Sequence, residues 1–138
     1  MADQKLDRLK SVPIFSLCSK AELRSLAMNT DEVSLSSGRT LITEGESNHT
    51  FFILLRGEAE VHVDDRTVGR LGPGDFFGEI SMLDRGKATA TVISTSPMDA
   101  LIMSHAQFRD AVRAHDDTAL KVIAAMAQRL RRDGAAGA

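Results

Sequence analysis

The chain holds a single cysteine, Cys18, among 138 residues, so no intrachain disulfide can form and a reducing cytoplasm is the natural setting. With Phe15 and Leu17 as neighbours, Cys18 reads as a small buried hydrophobe, not a nucleophile. No apolar run approaches the eighteen or so residues of a membrane-spanning helix, and no charged-then-apolar leader opens the chain. An excess of charge is missing too. A formal net charge of −2 gives no electrostatic footprint for nucleic acid, so no direct nucleic-acid binding is expected and any anion site must be local. The four histidines, His49, His62, His105 and His115, fall in unlike segments at no metal-ligand spacing and read as surface residues. A Ser/His/Asp set at meaningful spacing, a P-loop lysine and paired zinc ligands are all lacking, so the expected class is not an enzyme and no cofactor or metal is called for.

What is present reads as one domain over about 1–133, since a 43% hydrophobic fraction is ample for a single core. Leu6, Leu9 and Val12 have helical spacing, Pro13 breaks it, and Leu23, Leu26 and Ala27 resume it after Ser19, an N-cap with Glu22 three residues on. From about 31 to 103 the pattern changes to short β-branched and aromatic segments punctuated by glycine, the signature of a β-roll. Thr50 to Leu55 is apolar enough for a central strand, Glu58 to Val63 alternates as a half-buried one, and Asp64-Asp65 is a tight turn. Leu71-Gly72-Pro73-Gly74-Asp75 is a second turn whose glycines are expected at positive φ. Ser104 caps a helix with Phe108, Ala111 and Val112 on one face. A last helix follows Asp116-Asp117, with Leu120, Ile123, Ala124, Ala127 and Leu130 at helical spacing, and residues 134–138 read as a frayed tail.

The densest chemical signal is Phe76-Phe77-Gly78-Glu79-Ile80-Ser81-Met82-Leu83, followed after a loop by Ala88-Thr89-Ala90-Thr91-Val92. Gly78 lets a backbone N–H approach an anion closely, Glu79 offers a carboxylate to a hydroxyl, and Thr89-Ala90 is a small pair that can close the cradle. This spacing, with the strand glycines before it, resembles the phosphate-binding cassette of the cyclic nucleotide-binding domain family, and the resemblance covers nearly the whole chain.

The resemblance implies an α+β, mainly β fold: a jelly-roll-like antiparallel β-roll flanked by an N-terminal helical bundle over about 1–30 and two C-terminal helices over about 104–133. It implies cAMP as ligand, with cGMP a competitor. Glu79 would bind the ribose 2′-hydroxyl, and the N–H groups of Gly78, Ile80, Ser81, Thr89 and Ala90 would face the phosphate, with a short helix starting near Glu79 aiming its N-terminus at it. Val61 and Val63 resemble the apolar strand against the base, and ordinary core packing explains them equally well. Arg131 is the lid candidate on the final helix, although a basic C-terminus also suits the helix dipole.

One position departs from the family pattern. Where the family has an arginine, this chain has Ala88. Losing such a charge-assisted contact costs roughly 2–5 kcal/mol, on the order of a 30- to 3,000-fold loss of affinity. Arg85 and Lys87 stand near enough in sequence to offer partial compensation. Ala88 reads either as drift away from nucleotide binding or as a deliberate replacement, and the otherwise intact cassette favours the second. The expected role is a sensor whose ligand shifts its C-terminal helices. The alternative is a ligand-independent interaction module that forms a homodimer through the seam of Leu120, Ile123, Ala127 and Leu130. No helix-turn-helix follows the last helix, so the chain is expected to be a regulatory domain for an effector in a longer protein or a stand-alone sensor.

Overall fold

The computed structural model describes residues 2–78 and 86–134. The order is α1 (Ala2–Lys10), a 3₁₀ turn (Pro13–Phe15), α2 (Lys20–Met28), then strands β1 (Asp31–Leu35), β2 (Thr40–Ile42), β3 (Thr50–Arg56), β4 (Ala59–Val63), β5 (Arg66–Leu71), β6 (Phe76–Phe77), β7 (Thr91–Ser94) and β8 (Met98–Ser104), and finally α3 (His105–Arg113) and α4 (Thr118–Gly134). The fold is mainly β, an antiparallel β-roll with helices before and after it in the chain. It divides into a β unit, Thr30–Phe108, and a helical unit made of Met1–Asn29 with Arg109–Ala138. Among the described residues no helix is long and apolar enough to cross a membrane.

The β unit has two four-stranded antiparallel sheets, in the orders β1-β8-β3-β6 and β2-β7-β4-β5. Residues Phe51 to Leu54 of β3 are all buried, which explains a strand with almost no polar alternation. Phe52 stacks on Phe77 with ring centroids 4.7 Å apart, in a core with Ile42, Ala59, Ala88, Val92 and Ala100. The β4–β5 hairpin turns through Asp64 and Asp65, both in left-handed backbone (φ 52° and 63°). In the Leu71–Asp75 turn Gly74 has positive φ, +91°, and Gly72 does not; the Gly72 N–H donates to the Asp75 carboxylate at 2.8 Å. Ser104 caps α3 reciprocally, its Oγ accepting the Gln107 N–H at 3.0 Å while Gln107 Oε1 accepts the Ser104 N–H at 2.8 Å.

The helical unit has the same device at α2: Ser19 Oγ accepts the Glu22 N–H at 3.2 Å and Glu22 Oε1 accepts the Ser19 N–H at 2.7 Å. Glu22 is only 3% exposed, a costly place for a carboxylate. Lys121 Nζ lies 2.6 Å from its Oε1, and the Thr118 hydroxyl donates to its Oε2 at 3.1 Å. Burial raises the Glu22 carboxyl, but the hydrogen bonds from Lys121, Ser19 and Thr118 outweigh it and hold it at about 2. Cys18 is half-buried, less covered than expected, and its thiol is pushed up to about 11 by burial and then by Glu22, with Lys121 opposing; it is no thiolate. On α4 the buried face is Thr118, Val122 and Ala125, while Leu120 and Ile123 are 66% and 58% exposed. Val112 of α3 is half-buried, and so are His62, His105 and His115; His49 is exposed.

Candidate ligand-binding site

β6 is cut short by geometry. Phe77 still pairs with Phe52, but Gly78 has φ +84°, and a Cβ there would stand 2.4 Å from the Thr50 carbonyl oxygen and 3.0 Å from Asn48 Nδ2. Only glycine meets both conditions. Where the ladder stops, the Asn48 side chain replaces it: Nδ2 donates to the Thr50 carbonyl at 3.0 Å and Oδ1 accepts the Thr50 N–H at 3.3 Å.

The stretch 43–47 is fastened to 87–91. Gly45 N–H donates to the Ala88 carbonyl at 2.9 Å, Ala88 N–H to the Glu46 carbonyl at 2.8 Å, and Glu44 N–H to Thr91 Oγ1 at 2.9 Å, while Ser47 and Lys87 form an isolated antiparallel bridge. Extended pairing sends successive side chains to opposite faces. The Ala88 methyl therefore points inward, 8% exposed, and Lys87 points to solvent.

Between these segments lies a cavity of about 240 Å³. Its walls are Ile42, Val61, Leu71, Phe76, Phe77 and Val92; the remaining lining comes from Asn48, Gly78, Ala88, Thr89 and Ala90. That volume falls just under the usual ~300–1,000 Å³ of small-molecule pockets, sized for one small ligand. Among the described residues no charged side chain lines it. The N–H groups of Thr89 and Ala90 make no hydrogen bond to a described residue, which leaves two adjacent donors beside the cavity. The arrangement can hold an apolar or aromatic body against β4 and β6 and a polar head against neutral donors.

Of the residues expected from sequence, Gly78, Ala88, Thr89, Ala90 and Val61 line this one cavity. Val63 does not: it is the last residue of β4, at the strand end beside the Asp64 turn. Glu79, Ile80, Ser81 and Arg85 lie outside the described residues, as does the tail from 135 onward; Arg131 lies within α4, with its side chain outside the described set. Sequence reasoning missed Asn48, Leu71 and Ile42. Asn48 was legible as a polar residue two places before an apolar strand, a position where an Asx side chain caps backbone.

The model of the cyclic nucleotide-binding domain family matches residues 32–115. A cAMP-dependent protein kinase regulatory subunit of Mycosarcoma maydis is 34% identical over 95 residues, 66% of this chain and 18% of the relative. The chain spans 18% and 27% of the lengths of two curated regulatory subunits it matches. Among solved structures, the N-terminal domain of a transcriptional regulator from Streptomyces coelicolor A3(2) superimposes with a TM-score of 0.82 at 26% identity, covering 92% of this chain and 94% of that one. The regulatory domain of Toxoplasma gondii PKA with cAMP gives 0.73 at 27% identity, covering 78% and 43%.

Proposed function

The chain belongs to the cyclic nucleotide-binding domain family, and from that premise we propose that it is a non-catalytic regulatory domain that takes a cyclic nucleotide, cAMP with cGMP competing, into the cavity between β4, β6 and the 88–90 segment. The observation that carries this reading is the gathering of Val61, Gly78 and the Ala88-Thr89-Ala90 stretch around one cavity of about 240 Å³. The likeness to a cAMP-bound regulatory domain supports the choice of ligand. Val61 and Leu71 offer the base an apolar wall, and the Thr89 and Ala90 N–H groups offer the phosphate two donors. Glu79 is assigned to the ribose hydroxyl and Arg131 to the lid, both carried over from the family pattern. Ligand contact with the C-terminal helices would supply the differential affinity that shifts them.

Ala88 makes the binding weak. Its methyl occupies the inward-facing position from which an arginine would meet the phosphate. Isothermal titration calorimetry of the wild type and Ala88→Arg with cAMP and cGMP tests this. The variant is expected to bind at least tenfold more tightly, because a charge-assisted contact in such a site is worth roughly 2–5 kcal/mol. Without ligand the guanidinium faces Phe77 and Val92 with no acidic side chain among the described lining, so the unliganded variant should also unfold at lower urea than wild type and recover with nucleotide. No binding by either protein at millimolar nucleotide would overturn the reading.

One observation favours a second reading. Of the expected seam, Leu120, Ile123 and Ala127 are exposed and, with Ala124, form an apolar stripe on α4 about half a turn away from its buried face, while the side chain of Leu130 lies outside the described set. A ligand-independent interaction module would use that stripe to join two copies, and analytical ultracentrifugation with and without nucleotide separates the two readings: a dimer indifferent to nucleotide supports this one.

A further inference from the structure

Resting on the cyclic nucleotide reading, we infer that Asn48 is a ligand-contacting residue of this site: its carboxamide supplies the phosphate-facing donor in place of the arginine that Ala88 does not provide. Asn48 is 8% exposed and lines the cavity. Its hydrogen bonds to described residues both go to one residue, with Oδ1 accepting from the Thr50 N–H and Nδ2 donating to the Thr50 carbonyl. A carboxamide that pairs with both backbone groups of one residue uses the amide hydrogen lying on the Oδ1 side. The second hydrogen then points away from Thr50, and no described residue accepts it.

That orphan donor has a definite place. Nδ2 stands 3.0 Å from where a Gly78 Cβ would be, so it sits against the bare glycine at the cavity wall that also holds Ala88. A buried amide hydrogen with no acceptor among the described residues marks a position where an acceptor from outside fits. Together with the Thr89 and Ala90 N–H groups it makes a neutral donor set suited to a phosphodiester's single charge. Neutral donors hold an anion less tightly than a guanidinium does, in keeping with weak binding. Asn48 is thus a phosphate-contacting residue, and the ligand class is an organic phosphate monoanion carrying a ring that fits the apolar wall.

The test is a double-mutant cycle on the whole chain, read as cAMP dissociation constants by calorimetry, with urea unfolding on each protein. Asn48→Ala is expected to weaken cAMP about tenfold in the wild-type background and less than about threefold in the Ala88→Arg background, where the arginine already meets the phosphate. A role confined to holding the Thr50 backbone would weaken both equally, and that result overturns the inference. Should Asn48→Ala fail to fold, Asn48→Asp keeps the acceptor for the Thr50 N–H and the side-chain volume while replacing the donor by a carboxylate oxygen that repels a phosphate; it should lose more than about thirtyfold, and unchanged affinity in that variant also overturns the inference. If wild type and Ala88→Arg both ignore cAMP, the function falls first and this inference with it. Binding by both with no effect of either Asn48 variant refutes the inference alone.

Discussion

Glu22 in the helical unit and Asn48 in the β unit are both buried polar side chains, and they differ in what is left over. Glu22 has Lys121 and the Ser19 N–H on one oxygen and the Thr118 hydroxyl on the other. Asn48 pairs with both backbone groups of Thr50, and its second amide hydrogen has no acceptor among the described residues. A fully paired group can only hold its own unit together, since any further partner would have to displace an existing one. An incompletely paired group next to a cavity is where a ligand gains affinity. On the proposed reading, the paired Glu22 is a structural group of the helical unit and Asn48 is the ligand-facing group of the β unit.

The largest effect expected from that contrast is at Gly78. Gly78→Ala puts a side chain into left-handed backbone and 2.4 Å from the Thr50 carbonyl oxygen, so Asn48 and Thr50 must both move. We expect a loss of at least about 2 kcal/mol in urea unfolding together with loss of cAMP binding. A variant that kept both its stability and its affinity would show that the cavity does not depend on this close approach, and the contrast would break on the β side.

Next in size is Glu22. Its carboxyl stands at about 2, below the ordinary 4.5, so its contribution to stability is complete above pH 4.5 and is lost as pH falls from there toward 2. Glu22→Gln removes a charged acceptor of several hydrogen bonds, an effect on the order of 2 kcal/mol near neutral pH. The gap between wild type and variant should then narrow through that acid window, measured as urea midpoints at a series of pH values. Because every partner of Glu22 lies in the helical unit, cAMP affinity should stay within about threefold of wild type at neutral pH. A larger change would mean that the Glu22–Lys121 pair takes part in the ligand response, and the division between a structural and a binding interior would fail.

How much of this was legible follows from the range of each signal. The capping boxes at Ser19 and Ser104, the apolar run of β3 and the Asp64-Asp65 turn are local: a few adjacent residues decide them, and their types were sufficient. Cassette residues such as Gly78 and Thr89 stood out because special backbone and small side chains cluster there. Two things were not legible. The inward direction of Ala88 and outward direction of Lys87 come from pairing with Glu46 and Ser47, some forty residues away in sequence. Likewise, Val63 matches Val61 in type and parity, yet it ends β4 beside the Asp64 turn, and how far along a strand a cavity reaches depends on the segments packed over it.

The smallest expected effect concerns α4, where the contrast can be sharpened. At 100° per residue, Leu120, Ile123, Ala124 and Ala127 centre on one side of the helix, while the buried Thr118, Val122 and Ala125 centre almost opposite. The buried side already provides the helix with its core contact, so the exposed stripe adds nothing to the folding of a single chain. Leu120→Glu with Ile123→Glu should therefore change the unfolding free energy by no more than about 0.5 kcal/mol per site, the range of surface substitutions, and leave cAMP affinity unaltered. A drop several times larger at micromolar protein, shrinking on dilution of the wild type, would mean that the stripe is covered by a second copy, because stability drawn from association depends on concentration and stability drawn from the chain's own core does not. The same drop without any dependence on concentration would mean that α4 packs both its faces within one chain, and the helical unit would then hold more of its stability in apolar contact than the Glu22 pairing suggests.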